Sequence, residues 1–356
     1  MENVGIVAGK KAYQMIMDGG FSLNSVSTYF APASGPRFFV ATGFDLALIK
    51  NNCLGKNKIV WLVGASSGAW RLATWVQPQP DICYQKLINA YAEVKYTKED
   101  TPETLRNSLR TVLDSYLDEE AISFALSHKT LRVAFLVARA KHIMTFDSPF
   151  IQKLSLATCF FANAYKQEWL NCFFERMVFY SGFLPPAFCL QHDYKGSFTS
   201  LNEANFKTSL LASGAIPLVV PGQRDIYGAP KGMYRDGGLL DYNIAQNYAK
   251  HDDDIVLFFN HQERIIPTWM DKSLVNRKPV SKHIENVLMV YPTADFLLQL
   301  PDGKIPDRND FVTHIDNNSL RTKKWKVVAE LSTIIGEDFL ELVASGKIKN
   351  RVRLIE

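Results

Sequence analysis

The sequence predicts an α/β fold, a three-layer sandwich on a mostly parallel central sheet, and three observations predict it. Four short runs, Lys58 to Val63, Leu131 to Val137, Ile255 to Phe259 and Val287 to Tyr291, have the length and the β-branched and aromatic content of buried strands. Stretches of helical periodicity separate them, the alternation expected of a sheet covered on both faces. The first run stops at Gly64-Ala65-Ser66-Ser67-Gly68 and gives way to the helix-compatible Ala69 to Trp75, a strand, sharp turn and helix in succession.

Taken in chain order, residues 8 to 18 read as a short helix ended by Gly19-Gly20, and 31 to 36 (APASGP) as a loop. Arg37 to Ile49 carries a mostly helical pattern. Asp100 and Glu103 form a candidate capping box with Pro102 in the first turn, and Leu105, Leu109, Val112, Leu113, Tyr116 and Leu117 follow at helical spacing. Beyond about residue 310 the chain turns polar and helical, with Leu331 to Val343 punctuated by Gly336 and closed by Gly346. This divides the chain into an N-terminal helical extension (1–32), a main domain (33–300) and a C-terminal helical segment packed on it (301–356). Arg321, Lys323, Lys324 and Lys326 surround Trp325, a pattern of a solvated helix face or of a membrane surface.

A chain of 356 residues with 47% hydrophobic and 21% charged residues can bury a substantial core. Its net charge of +4 gives no argument for nucleic acid and favours at most weak approach to an anionic lipid surface. Five scattered cysteines suggest neither a disulfide framework nor a zinc site, and no other ligand cluster implies a metal or organic cofactor. Asp252-Asp253-Asp254 lacks calcium-loop spacing. Neither a signal peptide nor a run of 18 apolar residues is present, so the expected location is cytoplasmic, with peripheral membrane contact allowed.

The chemistry centres on Ser66. In a GxSxG turn the glycines admit a backbone approach that side chains would block, and the serine hydroxyl is lifted above the strand's carboxyl end. The helix that follows points its free amides at a developing oxyanion. Composition gives roughly 0.07 chance matches to this pattern in the chain; the bland reading is a strand-to-helix crossover in which Ser66 only caps the helix. A serine hydroxyl needs a base. Of seven histidines (His128, His142, His192, His251, His261, His283, His314), the last four follow the serine at the distance of a late-histidine triad, and none has a distinctive setting. Asp236, followed by Gly237 and Gly238, is the other candidate, although Asp-Gly is also a common turn.

A GxSxG serine followed long afterwards by Asp-Gly-Gly resembles the patatin-like phospholipases. The resemblance spans about 33–259 and includes Leu201 to Phe206, Leu210 to Pro217 and Tyr234 to Asn243. It implies that Ser66 is the nucleophile and Asp236 its base in a Ser-Asp dyad without catalytic histidine. It also implies an oxyanion hole in a glycine-rich loop before the elbow, whose counterpart here is Ala33 to Phe38: Gly35 and Arg37 match, the other glycines are replaced, and Phe38 and, from the elbow helix, Ser67 complete the expected lining. Pro36 in that loop has no N–H to offer.

The expected substrate is a lipid or other acyl ester. Phe160, Phe161, Tyr165, Trp169, Phe173, Phe174, Phe179, Tyr180, Phe183 and Phe188 lie between the serine and the aspartate, as core, as the wall of an acyl channel or as a segment that dips into a bilayer interface. Two other readings stand: a Ser-His-Asp esterase or thioesterase using a late histidine, and a lipid-binding or scaffold member of the fold without activity. Oligomeric state leaves no mark in the sequence.

Overall fold

The computed structural model describes residues 2–190 and 195–355. Its strands are β1 (Val4–Ala8), β2 (Val26–Ala31), β3 (Val60–Ala65), β4 (Leu131–Ala140), β5 (Phe174–Tyr180), β6 (Gly196–Ser200), β7 (Gln223–Arg224), β8 (Met233–Asp236), β9 (Ile255–Phe259), β10 (Val287–Pro292) and β11 (Val352–Leu354). The helices are α1 (Lys10–Met17), α2 (Thr42–Lys50), α3 (Ser67–Trp75), α4 (Pro80–Ala92), α5 (Pro102–Asp114), α6 (Glu119–Ser127), α7 (Pro149–Tyr165), α8 (Phe206–Ser213), α9 (Ser281–Ile284), α10 (Ala294–Leu297), α11 (Asn309–Thr313), α12 (Asn318–Leu331) and α13 (Thr333–Ala344).

The α/β class is as the sequence predicts, and the strands form one 11-stranded sheet in the order β11-β1-β10-β9-β2-β3-β4-β5-β6, with β8 on β4 and β7 on β8. The five central strands β10, β9, β2, β3 and β4 run parallel. Antiparallel pairs flank them at β1–β10, β4–β5 and β4–β8, so the sheet is mixed. Alternate residues of its strands feed two cores: Tyr29, Leu257 and Val290 face one side, Phe30, Val256 and Met289 the other. Helices α2, α3, α4, α12 and α13 pack on the first side. The second is covered largely by irregular chain bearing Tyr242, Ile244, Tyr248, Ile265 and Ile266 rather than by long helices. That irregular segment is held by a buried bidentate pair: Arg176 donates to both oxygens of Asp241 at 2.8 and 2.7 Å, and the Tyr248 hydroxyl adds 2.5 Å.

Several boundaries differ from expectation. The first 32 residues are not a helical extension: β1 pairs with β10 and β11, and β2 lies between β9 and β3 at the centre of the sheet. The final segment likewise ends in a strand, β11, which pairs parallel to β1. These termini read poorly in sequence because short strands make sense only beside their partners. The cap of α5 is Thr101 with Thr104, not Asp100 with Glu103, since the N-cap directly precedes Pro102 in the first turn. Arg321 and Trp325 of the basic cluster are buried rather than presented to a membrane. Arg321 donates to the carbonyls of Ala92 and Val94 and stacks on Phe311 and Trp325, while Trp325 Nε1 donates to Asp310 at 2.9 Å. Lys324 and Lys326 pair outward with Asp302 and Glu93.

The aromatic stretch is core only in part, and none of its residues lines the apolar cavity described below. Phe174, Phe179 and Phe188 are buried, whereas Phe161, Tyr165, Trp169 and Phe183 are exposed. Among the described residues no helix is long and apolar enough to cross a membrane.

Candidate active site

Register explains how two residues 170 positions apart meet. Strand β3 pairs with β4 as far as Ala65 opposite Leu136, but β4 continues to Ala140. Along the edge that β3 leaves vacant, β8 runs in from the other end and finishes with Asp236 opposite Val137. The carboxyl ends of β3 and β8 thus face each other across one register step of β4. The Ser66 Oγ, which follows Ala65, donates to Asp236 Oδ2 at 2.6 Å.

Ser66 sits at φ 55° and ψ −131°, a strained backbone for a residue with a side chain, and the surroundings over-determine it. Its N–H donates to Ser213 Oγ at 2.8 Å, and that hydroxyl donates to the carbonyl of Leu136 at 2.8 Å. Both elbow glycines are sterically required. A Cβ on Gly68 would lie 2.1 Å from the carbonyl oxygen of Ala31, and one on Gly64 would lie 2.8 Å from the Ala69 nitrogen. The Gly-Gly after the aspartate has the same cause: a Cβ on Gly237 would meet the Leu136 carbonyl at 2.1 Å, and one on Gly238 would meet Ala33 at 2.5 Å. Gly238 also donates its N–H to Asp236 Oδ1 at 2.7 Å, so each carboxylate oxygen has one donor.

Asp236 is buried, and its carboxyl is raised to about 6. Desolvation is the chief cause, opposed by the Ser66 hydrogen bond, the charge of Arg308 and the Gly238 N–H. A carboxylate that titrates near 6 is ionised at neutral pH and is a better proton acceptor than an ordinary aspartate.

The four residues expected to line an oxyanion hole are placed unequally. Gly35 (φ +54°) and Ser67 each begin a helical turn, so neither N–H has an intrahelical acceptor, and neither donates to a carbonyl elsewhere among the described residues. Ser67 Oγ accepts from Ser34 N–H at 3.3 Å and lies 3.1 Å from Ser34 Oγ, which ties the loop to the elbow helix. The Arg37 N–H is spent on the carbonyl of Ser34 at 3.3 Å, and its side chain lies beside the Tyr242 hydroxyl. The Phe38 ring is buried against Phe39 and Tyr91. Arg37 and Phe38 are therefore not amide donors toward Ser66: the 3₁₀ helix from Gly35 to Ala41 consumes those groups.

No late histidine takes the place of Asp236, which is the acceptor for Ser66 Oγ. His261 is buried and held down to about 3 by desolvation and by the charges of Arg37 and Lys272, the wrong direction for a base. His192 lies outside the described residues. Among the described residues no group of three or more His, Cys, Asp or Glu is arranged to hold a metal ion.

An apolar cavity of about 290 Å³ adjoins the dyad, lined by Tyr91, Leu105, Leu109, Ile216, Val219, Val220, Phe311 and Val312, with Arg308 at its polar side. Ile216 follows Ala215, whose carbonyl accepts the Asp236 N–H. The cavity's rim is apolar as well: Leu218 and Val219 are exposed, and the Leu218 N–H donates to Gln152 of α7, the helix that also exposes Phe150 and Leu154. Buried Arg235, beside the candidate base, donates to the carbonyls of Met144 and Phe146 and pairs with Asp147, fixing the turn before α7. A second cavity, about 440 Å³, lies at the other end of β4 near Cys53, Trp75, Gln77 and Leu131, away from the dyad.

Sequence reasoning missed Ser213, Arg308 and the cavity wall. Ser213 lay inside a recognised block but carries no signal of its own. Arg308 reaches Gly35 from a segment 273 positions away.

No family model, no curated protein and no solved structure matches the chain.

Proposed function

We propose that the protein is a serine acyl hydrolase of patatin-like type, cleaving a lipid or related acyl ester through a Ser66–Asp236 dyad. The observation that carries this reading is the 2.6 Å hydrogen bond from a strained elbow serine to a buried, desolvated aspartate. Asp236 accepts the Ser66 proton as Oγ attacks the ester carbonyl. The amides of Gly35 and Ser67 face the oxyanion, and protonated Asp236 returns its proton to the leaving alcohol. Water, deprotonated by the same carboxylate, then releases the acid from the acyl-enzyme. The apolar cavity suits an acyl chain, and the exposed apolar rim of α7 and the 216–220 loop suits shallow contact with a lipid surface. No cofactor enters this scheme, and a cytoplasmic, peripheral location fits it.

Labelling with a fluorophosphonate tests the assignment. The expected result is one adduct, on Ser66, absent from Ser66→Ala and slowed at least 100-fold in Asp236→Asn, with parallel loss of ester hydrolysis. Folded wild-type protein without an adduct sinks the proposal in favour of a lipid-binding scaffold. Full loss of activity on replacing His251, His261, His283 or His314 would favour a histidine triad.

A further inference from the structure

The cavity of about 440 Å³ away from the dyad is of a size that holds small molecules. It lies where β4 begins and where three helices end. Leu48 and Ile49 come from the last turn of α2, Trp75 closes α3, and Phe124 and His128 stand at the end of α6. Leu54 and Leu131 extend the apolar wall. Among the described residues Lys56 brings the one full charge to it, and no carboxylate is present.

Two polar groups on that wall are left over. Trp75 and Gln77 are 4% and 2% exposed, and neither the indole Nε1–H nor the amide Oε1 has a hydrogen-bond partner among the described residues. Gln77 Nε2 donates to the carbonyl of Ala73 at 3.0 Å, which fixes the amide with Oε1 as the unpaired atom. His128 is fixed as well. Its Nδ1 accepts the N–H groups of Thr130 at 3.4 Å and Leu131 at 3.1 Å, so the neutral ring carries its proton on Nε2, which meets no acceptor among the described residues. Burial, and then the charge of Arg132, holds that ring below the usual histidine range and so keeps it neutral. The Phe124 ring stands edge-on to it, with centroids 5.9 Å apart and planes at 86°. The wall therefore offers two N–H donors and one carbonyl acceptor between aromatic and aliphatic surfaces. Buried polar groups are paired in native structures, and a water occupies only about 30 Å³, so waters on the two buried atoms would leave most of the space open.

We propose that this cavity binds a planar, uncharged heterocycle with an imide edge, an N–H between two carbonyls as in a pyrimidinedione. The N–H donates to Gln77 Oε1, and the carbonyls accept from Trp75 Nε1 and His128 Nε2. The rings of Trp75 and Phe124 and the neighbouring leucines cover the flat faces of such a molecule. Selectivity follows from the same groups, because a ligand without the N–H leaves Gln77 Oε1 buried and unpaired. The site is built on the far end of the helix that opens at Ser67, yet the inference needs no activity at Ser66.

Two compounds offered to the full-length protein test this: 1-methylquinazoline-2,4-dione, which keeps the N–H between its carbonyls, and 1,3-dimethylquinazoline-2,4-dione, which lacks it. Calorimetry should show saturable binding of the first, at least tenfold tighter than that of the second. Alkylation of Cys53, a half-buried thiol on the cavity wall, should slow several-fold when the first compound is bound, while exposed Cys172 reacts as before. Gln77→Leu should abolish the preference between the two. Trp75→Phe, which keeps a ring but no donor, should weaken both and leave the preference in place. Absence of saturable binding of the first compound up to about 1 mM overturns the proposal and assigns the unpaired atoms to trapped water. Equal binding of the two compounds overturns it as well, as does binding that leaves Cys53 unprotected or a preference that survives Gln77→Leu in folded protein. The wild-type measurements decide the matter even where a variant does not fold.

Discussion

Asp236 is held where its charge is disfavoured, and that gives it two measurable properties. Its folded pKa, about 6, lies above the usual aspartate value, so the folded state prefers the protonated acid. The cost to stability is absent at pH values below both the unfolded and folded pKa, grows between them, and is complete above about 6. Asp236→Asn should therefore abolish hydrolysis yet stabilise the fold by about 2–3 kcal/mol at pH 8, with little gain near pH 3.5; thermal melts at the two pH values measure it. A gain of equal size at both would show that ionisation is not its source. In the wild type, kcat/KM for an uncharged ester should rise with pH through an apparent pKa near 6, as the base ionises. Ser213 works on the same scale: by accepting the Ser66 N–H it satisfies a buried donor at the strained turn.

The elements meet at the elbow so closely that side-chain size decides whether they can pack. Helix α3 crosses the end of β2 at Gly68, where a Cβ would press on the backbone carbonyls of both Ala31 and Pro32. Gly68→Ala is expected to cost more than about 3 kcal/mol, because no side chain can move aside. Gly346, in a left-handed conformation after α13, provides the contrast. With nothing within 4 Å of its Cβ position, Gly346→Ala should cost only about 1 kcal/mol. Urea unfolding of the two variants distinguishes crowding from backbone strain, and similar losses would refute the distinction. Helices α2, α3 and α4 are further tied to β2 by one buried carboxylate, Asp45, which accepts from Arg71 at 3.0 Å, from Tyr84 at 2.7 Å and from Tyr29.

For the whole molecule, the arrangement places an apolar rim and a cavity at one end of the sheet. Phe150 and Leu154 lie four positions apart on α7 and are 76% and 59% exposed, more than an ordinary surface leaves uncovered at neighbouring positions. If this rim meets lipid, the double substitution Phe150→Glu and Leu154→Glu should lower co-sedimentation with phosphatidylglycerol vesicles at least fivefold while leaving the melting temperature within about 2 °C. Unchanged sedimentation would place lipid contact elsewhere or nowhere.

How much of this was legible in the sequence follows from the range of the forces involved. Strands β3, β4, β9 and β10, the elbow and the Asp-Gly-Gly turn could be read locally, because composition, a sharp turn and a missing side chain all act within a few residues. The short strands β1 and β11 could not, since their pairing depends on partners hundreds of residues away. At the site, Ser66 and Asp236 were nameable as residues, and Gly35 as a loop glycine. Their meeting was decided by β8 taking the edge of β4 that β3 leaves open. Tertiary structure alone withdrew the amides of Arg37 and Phe38, brought Arg308 to Gly35, and raised Asp236 to about 6. Desolvation and charge act through space, and a linear sequence carries no record of which distant groups will share one low-dielectric pocket.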